Sequence, residues 1–241
     1  VIAARAETLG PVRVLLTDRR GGSSRSPWDS LNLADHVGDD ASAVRANRRR
    51  VARAADVAEM VVIDAEHGRS VHRVGAAGRA PKGDALLTTR PELGLLALSA
   101  DCVAGAVVAP DQPAVAVFHC GWRGLAAGIV PATVAALREL GADPSQLLAR
   151  LGPAICPDCY EVSAEVRSQV AAAVPQAWAT TARGAPAIDL VAGTVGQLQA
   201  TGCGAIDVDD RCTAETETLF SHRRDGVTGR QGVLAVLGAA P

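Results

Sequence analysis

Between residues 84 and 119 the chain runs through four short apolar stretches: DALLTT (84–89), GLLALSA (94–100), AGAVVA (104–109) and AVAVFH (114–119). Each is shorter than an ordinary helix and is bounded by turn-forming residues, so each is predicted to be a strand. PELG separates the first two and PDQP the last two, both in the manner of hairpins. If the last two strands pair antiparallel with the turn centred between Pro110 and Asp111, Cys102 faces His119 across the open end. Facing residues in such a pair have Cα atoms ~4.5–5.5 Å apart.

The rest of the chain surrounds this strand-rich middle. VRVLLTD (12–18) and MVVID (60–64) read as strands, with VHRV (71–74) as the neighbour of the second. Asp39-Asp40 cap a helix through ASAVRANRRRVARAA, in which Val44, Val51 and Ala55 share a face. A helical pattern covers Leu125 to Leu140, with Gly141 at its stop and a kink at Pro131. Helices near 163–173 and 187–199 follow a strand-like RLGPAI, and short strands are expected near 204–208 and 232–237. No repeat or linker divides the 241 residues. We read one α+β domain over 1–241.

Net charge is −2, and Lys82 is the only lysine. A nucleic-acid binder would carry a basic surplus, so no nucleic-acid partner is expected, and the Arg48–Arg50 run reads as a solvated helix face. No apolar stretch approaches the ~18–20 residues of a membrane helix. The six cysteines, at 102, 120, 156, 159, 203 and 212, follow no disulfide-framework pattern. The opening VIAARAETLG lacks the charged-then-apolar order of a signal peptide. Together these lead us to expect a cytoplasmic protein with reduced thiols. No protein partner is readable.

A thiol facing an imidazole has three readings: core packing, a cysteine nucleophile with a histidine base, or two ligands of a metal. A catalytic zinc takes three protein ligands and leaves one position open. His67, in AEHGRS at a strand end, suits the third place by loop position; His36, His72 and His222 compete with it. The C-x-x-C of CPDC (156–159) would need a second such pair to make a zinc ribbon. Cys203 and Cys212 are nine apart, so CPDC reads as structural or incidental.

Taken in order, TDRRGGSS, SPWDSLNLADHVGDD, AEHG, GDALLTT, SADC, FHCGWRGL, GPAICPDCYEV and SHRRDGVTGRQ resemble the YfiH-like family over nearly the whole chain. That family was long labelled multicopper polyphenol oxidase or laccase-domain proteins and is now treated as zinc-dependent purine nucleoside phosphorylases. AEHG stands where Gln-Val-His-Gly is more usual, and Cys120 where alanine is. The resemblance implies layered mixed β-sheets packed together with helices outside. It implies a single Zn2+ held by His67, Cys102 and His119, with copper, which binds such donors more tightly, as the substitute. It also implies phosphorolysis of adenosine, inosine, guanosine and 5′-methylthioadenosine with inorganic phosphate, together with deamination of adenosine.

Such a centre lowers the pKa of a water in its open position to about 7, which suits deamination. Asp101 is the nearest carboxylate for moving its proton, although adjacent strand residues point to opposite faces. Phosphorolysis needs an arginine fork for phosphate. Arg19 and Arg123 are the first candidates and Arg224 and Arg230 the next; each otherwise reads as a surface ion-pair arginine. Asn32 suits a ribose or base edge, or a turn. A multicopper oxidase needs far more imidazoles than the five present, so polyphenol oxidation is not expected. A metal-free Cys–His hydrolase, a peptidoglycan-precursor editing hydrolase and a non-catalytic scaffold are the alternatives.

Overall fold

The middle strands are apolar on both sides because both of their faces are covered. In the computed structural model, which describes residues 4–238, they belong to two stacked sheets. Residues 1–3 of the VIAARAETLG start and 239–241 at the other end of the 1–241 span lie outside the described residues. Thirteen strands are formed: β1 Ala4–Leu9, β2 Val12–Thr17, β3 Glu59–Val62, β4 Val71–Arg73, β5 Ala85–Thr88, β6 Leu93–Ser99, β7 Val103–Ala109, β8 Ala114–Cys120, β9 Leu148–Leu151, β10 Trp178–Thr180, β11 Pro186–Ile188, β12 Ala205–Val208 and β13 Gln231–Leu237. Six α-helices accompany them among the described residues: α1 Ala41–Ala54, α2 Trp122–Ala127, α3 Ile129–Arg138, α4 Ala164–Ala173, α5 Leu190–Ala200 and α6 His222–Asp225.

One sheet has the order β1-β2-β13-β6-β3 and the other β12-β9-β7-β8-β5-β4; β10 and β11 form a small hairpin. Both large sheets are mixed, with parallel pairs β3–β6, β4–β5 and β9–β12. Alternate residues of the two sheets meet in a shared core of Val14, Leu16, Leu95, Ala106, Val108, Val117 and Val233. The opposite face of the six-stranded sheet, with Val107, Phe118 and Cys120, packs on Leu125, Ile129, Val134, Val170 and Leu190 of α2–α5. The outer face of the five-stranded sheet is covered by α1 through Val51, together with Leu31 and Leu33. The result is the layered α+β arrangement expected, with helices outside two sheets.

Several local expectations are corrected. PELG is not a hairpin: β5 lies beside β8 in one sheet and β6 between β13 and β3 in the other, so this turn carries the chain between sheets. For the same reason VHRV does not neighbour β3 but pairs in parallel with β5. The hairpin across PDQP does form, yet Ala109 pairs with Ala114, leaving all four residues in the loop. The centre therefore falls between Asp111 and Gln112, and His119 faces Ala104 rather than Cys102. A slip of two residues keeps every side chain on its own face, so Cys102 and His119 still share a side. The helical stretch after Trp122 is two helices, broken at Gly128 with its left-handed φ of 84°. Pro131 sits in the first turn of α3, where its missing N–H costs nothing. The VIAARAETLG stretch, read only for its lack of a leader pattern, supplies β1.

Asp40 caps α1 by accepting from the N–H groups of Ser42 and Ala43. Within the six-stranded sheet Phe118 lies over Gly105, where a Cβ would come within 2.5 Å of the ring. This ring sits one residue before His119 and is fully buried. Phe118→Ala is expected to lower stability by about 3–5 kcal/mol, measured as a shifted midpoint in urea unfolding without a change of slope.

Candidate metal centre

Three chain segments end at one point between the sheets. The loop after β3 carries His67, the turn before β7 carries Cys102, and the end of β8 carries His119. One ligand atom from each lies within 4.8 Å of the others. His119 is on the face of β8 opposite to Phe118 and Cys120, as the pleat requires. His67 stands edge-on to it, with ring centroids 4.8 Å apart and planes at 85°.

Asp84, which immediately precedes β5 and is 0 % exposed, organises the two histidines. Its carboxylate accepts from the N–H groups of Glu66 at 3.3 Å, His67 at 3.0 Å and Gly68 at 2.7 Å. These bonds hold His67 at φ 61°, a left-handed conformation uncommon for a side-chain-bearing residue. A fourth contact, 2.9 Å long, comes from Nδ1 of His119. Burial raises the Asp84 carboxyl, but the bonds from His119 and the loop N–H groups outweigh it and hold it below the ordinary value. An ionised carboxylate only accepts, so Nδ1 of His119 carries a proton, and Nε2 is the nitrogen that a metal would take in exchange for its proton. Asp84 was not singled out from sequence; a Gly-Asp pair opening an apolar strand is the signal it leaves.

Cys102 is positioned by the residue before it. Asp101 sits at φ 95° and is buried. Its Oδ1 accepts from the hydroxyls of Thr213 and Ser221, both at 2.7 Å, and its Oδ2 from the N–H of Arg223 at 2.7 Å. Both oxygens are therefore engaged in holding the turn. Burial pushes the Cys102 thiol up, but the charge of His119 and hydrogen bonds from His119 and His67 bring it down to about 6. His119 is conversely pushed down by burial, and the Cys102 sulfur and Asp84 raise it to about 9.

A thiolate and two imidazoles form a donor set suited to zinc, and these residues could hold a metal ion. Gly121 leaves the space: a Cβ there would lie 3.1 Å from Cys102 Sγ and 2.9 Å from the His67 ring. The trio lines a cleft of about 450 Å³ that also includes His36, Trp122, Arg123, Tyr160, His222, Arg223 and Arg230. Arg123 stacks on Trp122 at 4.4 Å. Arg230 gives one terminal nitrogen to the carbonyls of Thr228 and Gly229, both at 3.0 Å.

The other candidates stand elsewhere. Arg19 donates to the Asp29 carbonyl at 2.8 Å and lies 4.9 Å over the Phe220 ring. Asn32 is fully buried, bonded to Ala34, Asp39 and the N–H of Arg230. Arg224 binds the carbonyls of Thr213 and Leu219 and pairs with Asp225 through two nitrogens. None of these three lines the cleft. Of the competing histidines, His72 is bonded to the Lys82 carbonyl at 2.8 Å, and His36 and His222 line the cleft away from the trio. Tyr160 lines the cleft without having been picked from sequence, where nothing local distinguishes it.

If Asp84 sets the ring orientation and basicity of His119, Asp84→Asn should weaken metal binding roughly 10–100-fold. Competition with a fluorescent chelator would measure this, with circular dichroism checking that the fold persists.

The chain is similar to known proteins over nearly its whole length. A family model described as multi-copper polyphenol oxidoreductase laccase matches residues 13–238. A purine nucleoside phosphorylase of Streptomyces griseus is 43% identical over 231 residues, covering 93% of this chain and 94% of that protein. One from Corynebacterium glutamicum is 41% identical, with 92% of each chain covered. Among solved structures, YlmD of Geobacillus stearothermophilus has a TM-score of 0.88 at 32% identity, covering 99% of this chain and 100% of its own. A DUF152 protein of Neisseria meningitidis also scores 0.88 at 32% identity, covering 98% and 99%. With the match running through every segment that builds the cleft, the chain belongs to the multi-copper polyphenol oxidoreductase laccase family of YfiH-like proteins.

Proposed function

We propose that the protein is a zinc-dependent purine nucleoside phosphorylase. Its substrates are adenosine, inosine, guanosine and 5′-methylthioadenosine, and it also deaminates adenosine. The observation that carries this reading is the convergence of His67, Cys102 and His119 in a cleft shared with free arginine nitrogens. The names of the relatives support the substrate class. Three ligand residues with open cleft beside them suit a catalytic ion, since a structural zinc is normally closed by four protein ligands. When bound, zinc supplies Lewis-acid polarisation at this end of the cleft.

The chain's own residues would do the rest. A cleft of about 450 Å³ lies within the size range of small-molecule sites. Ile63, Leu98 and the Trp122 ring give it an apolar side for a purine. Arg123 makes no side-chain hydrogen bond or ion pair among the described residues, so its fork is available to phosphate, with Arg230 beside it in the lining. Burial pushes the Tyr160 hydroxyl up to about 12, so it remains a hydrogen-bond donor to substrate at neutral pH. Arg19, Asn32 and Arg224 act at one remove, through the loops that frame the cleft. Six free thiols suit a reducing compartment, and we place the protein in the cytoplasm.

A metal-free cysteine hydrolase is the second reading, favoured by the close approach of Cys102 and His119. It leaves His67 and its left-handed loop without a role. The deciding assay incubates pure protein with adenosine, with and without phosphate, before and after chelation. Ribose 1-phosphate and adenine, formed only with phosphate, together with inosine, are expected, and both activities should vanish on chelation and return with zinc. Chelator-resistant turnover would overturn the zinc assignment. Cys102→Ala should abolish zinc binding at this centre and phosphorolysis while leaving the fold intact. Arg123→Ala should raise the KM for phosphate about tenfold or more, the loss of one charge-assisted fork, with metal content unchanged.

A further inference from the structure

The CPDC motif is not consumed by the cleft, and its partners come from a distant part of the chain. Cys156, Cys159, Cys212 and Glu215 each offer one ligand atom, and these atoms lie within 4.8 Å of one another. They form two facing turns of equal spacing, Cys-Pro-Asp-Cys at 156–159 and Cys-Thr-Ala-Glu at 212–215. A second C-x-x-C is absent from the sequence, but a C-x-x-E stands in its place. We propose that these four residues form a second, structural zinc site, closed by three thiolates and one carboxylate.

One edge of the cluster has the length that coordination sets. Zinc binds thiolate at about 2.3 Å and carboxylate at about 2.0–2.2 Å in a tetrahedron, which sets a sulfur–oxygen edge of roughly 3.6 Å. Cys159 Sγ stands 3.6 Å from Glu215 Oε1. The N–H of Cys156 points at Cys212 Sγ from 3.2 Å. Backbone pairing fixes the two turns against each other, through the Ala154–Cys212 bridge and the Thr213 N–H on the Ala154 carbonyl at 3.0 Å. A soft, sulfur-rich set gathered within 4.8 Å selects zinc over magnesium or calcium. A redox dithiol would use two of the sulfurs and leave a third sulfur and a carboxylate gathered for nothing.

The site would staple one wall of the cleft. Tyr160 follows Cys159 directly, and Arg223 donates to the Cys159 carbonyl at 3.2 Å and the Glu161 carbonyl at 3.0 Å. Thr213, beside Cys212, holds Asp101. The two turns thus fix positions on both sides of the first centre without contributing to its ligands.

The test uses whole protein purified under reducing conditions, reloaded with zinc and dialysed. Cys102→Ala protein should retain one zinc per chain by elemental analysis, and adding Cys212→Ser should remove it. Cobalt in the Cys102→Ala protein should give the intense visible bands of tetrahedral coordination and thiolate charge transfer. Adding Glu215→Cys, at an exposed position, should raise that charge-transfer intensity by about a third, one thiolate joining three. These readouts do not depend on the activity of the cleft, so the inference stands or falls apart from the proposed function. A zinc-free Cys102→Ala protein that remains folded, or an intact mass two hydrogens light from a disulfide among these cysteines, would overturn it. So would zinc retained after Cys212→Ser.

Discussion

The Asp84 carboxylate is the interaction on which the centre depends. A buried, unpaired carboxylate costs several kcal/mol in lost hydration, and four N–H groups offset that cost here. Three come from the 66–68 loop and one from the His119 ring. The same group therefore holds the loop in a conformation that would otherwise be strained and fixes which nitrogen of His119 a metal would take. Its backbone takes part as well, since the His119 N–H donates to the Asp84 carbonyl at 2.7 Å. Two histidines that are 52 positions apart are oriented by one side chain.

Asp101 does the corresponding work for the thiol. It joins the turn before β7 to Thr213, Ser221 and the backbone of Arg223, more than a hundred residues away. The carboxylate beside Cys102 is thus a brace. The two aspartates explain why two imidazoles and a thiol from three separate segments meet at all. Each sits where a strand begins or ends, at the edge of the stacked sheets, so the rigid layers set the distances and the carboxylates set the angles.

The parts of this arrangement that were legible in the sequence share a physical character. The strands of the middle, the Asp40 cap of α1 and the helix stop near Gly141 are written in residues a few positions apart. The pairing of β7 with β8 was legible too, because a four-residue loop leaves few other partners. His67 was favoured by its loop position beside a glycine, before the family resemblance named the same trio. Where reading failed, the missing information was non-local. PELG looks like a hairpin turn, but its flanking strands are buried on both faces and can join different sheets. Asp84 looks like the polar end of an apolar strand until the 66–68 loop is folded over it. Arg19, Arg123, Arg224 and Arg230 are alike in sequence, yet only Arg123 and Arg230 line the cleft.

By itself, the sequence determined the element types and the inventory of donors: short apolar runs that must be strands, capped helices, and a thiol and imidazoles at their ends. Those choices follow from backbone sterics, local hydrogen bonding and side-chain period, which act over a turn or two. Only the tertiary structure decided which donors meet, that CPDC faces Cys212 and Glu215, and which arginines reach the cleft. Those outcomes depend on how two buried sheets stack and where distant loops cross their edges, and no local pattern encodes that geometry.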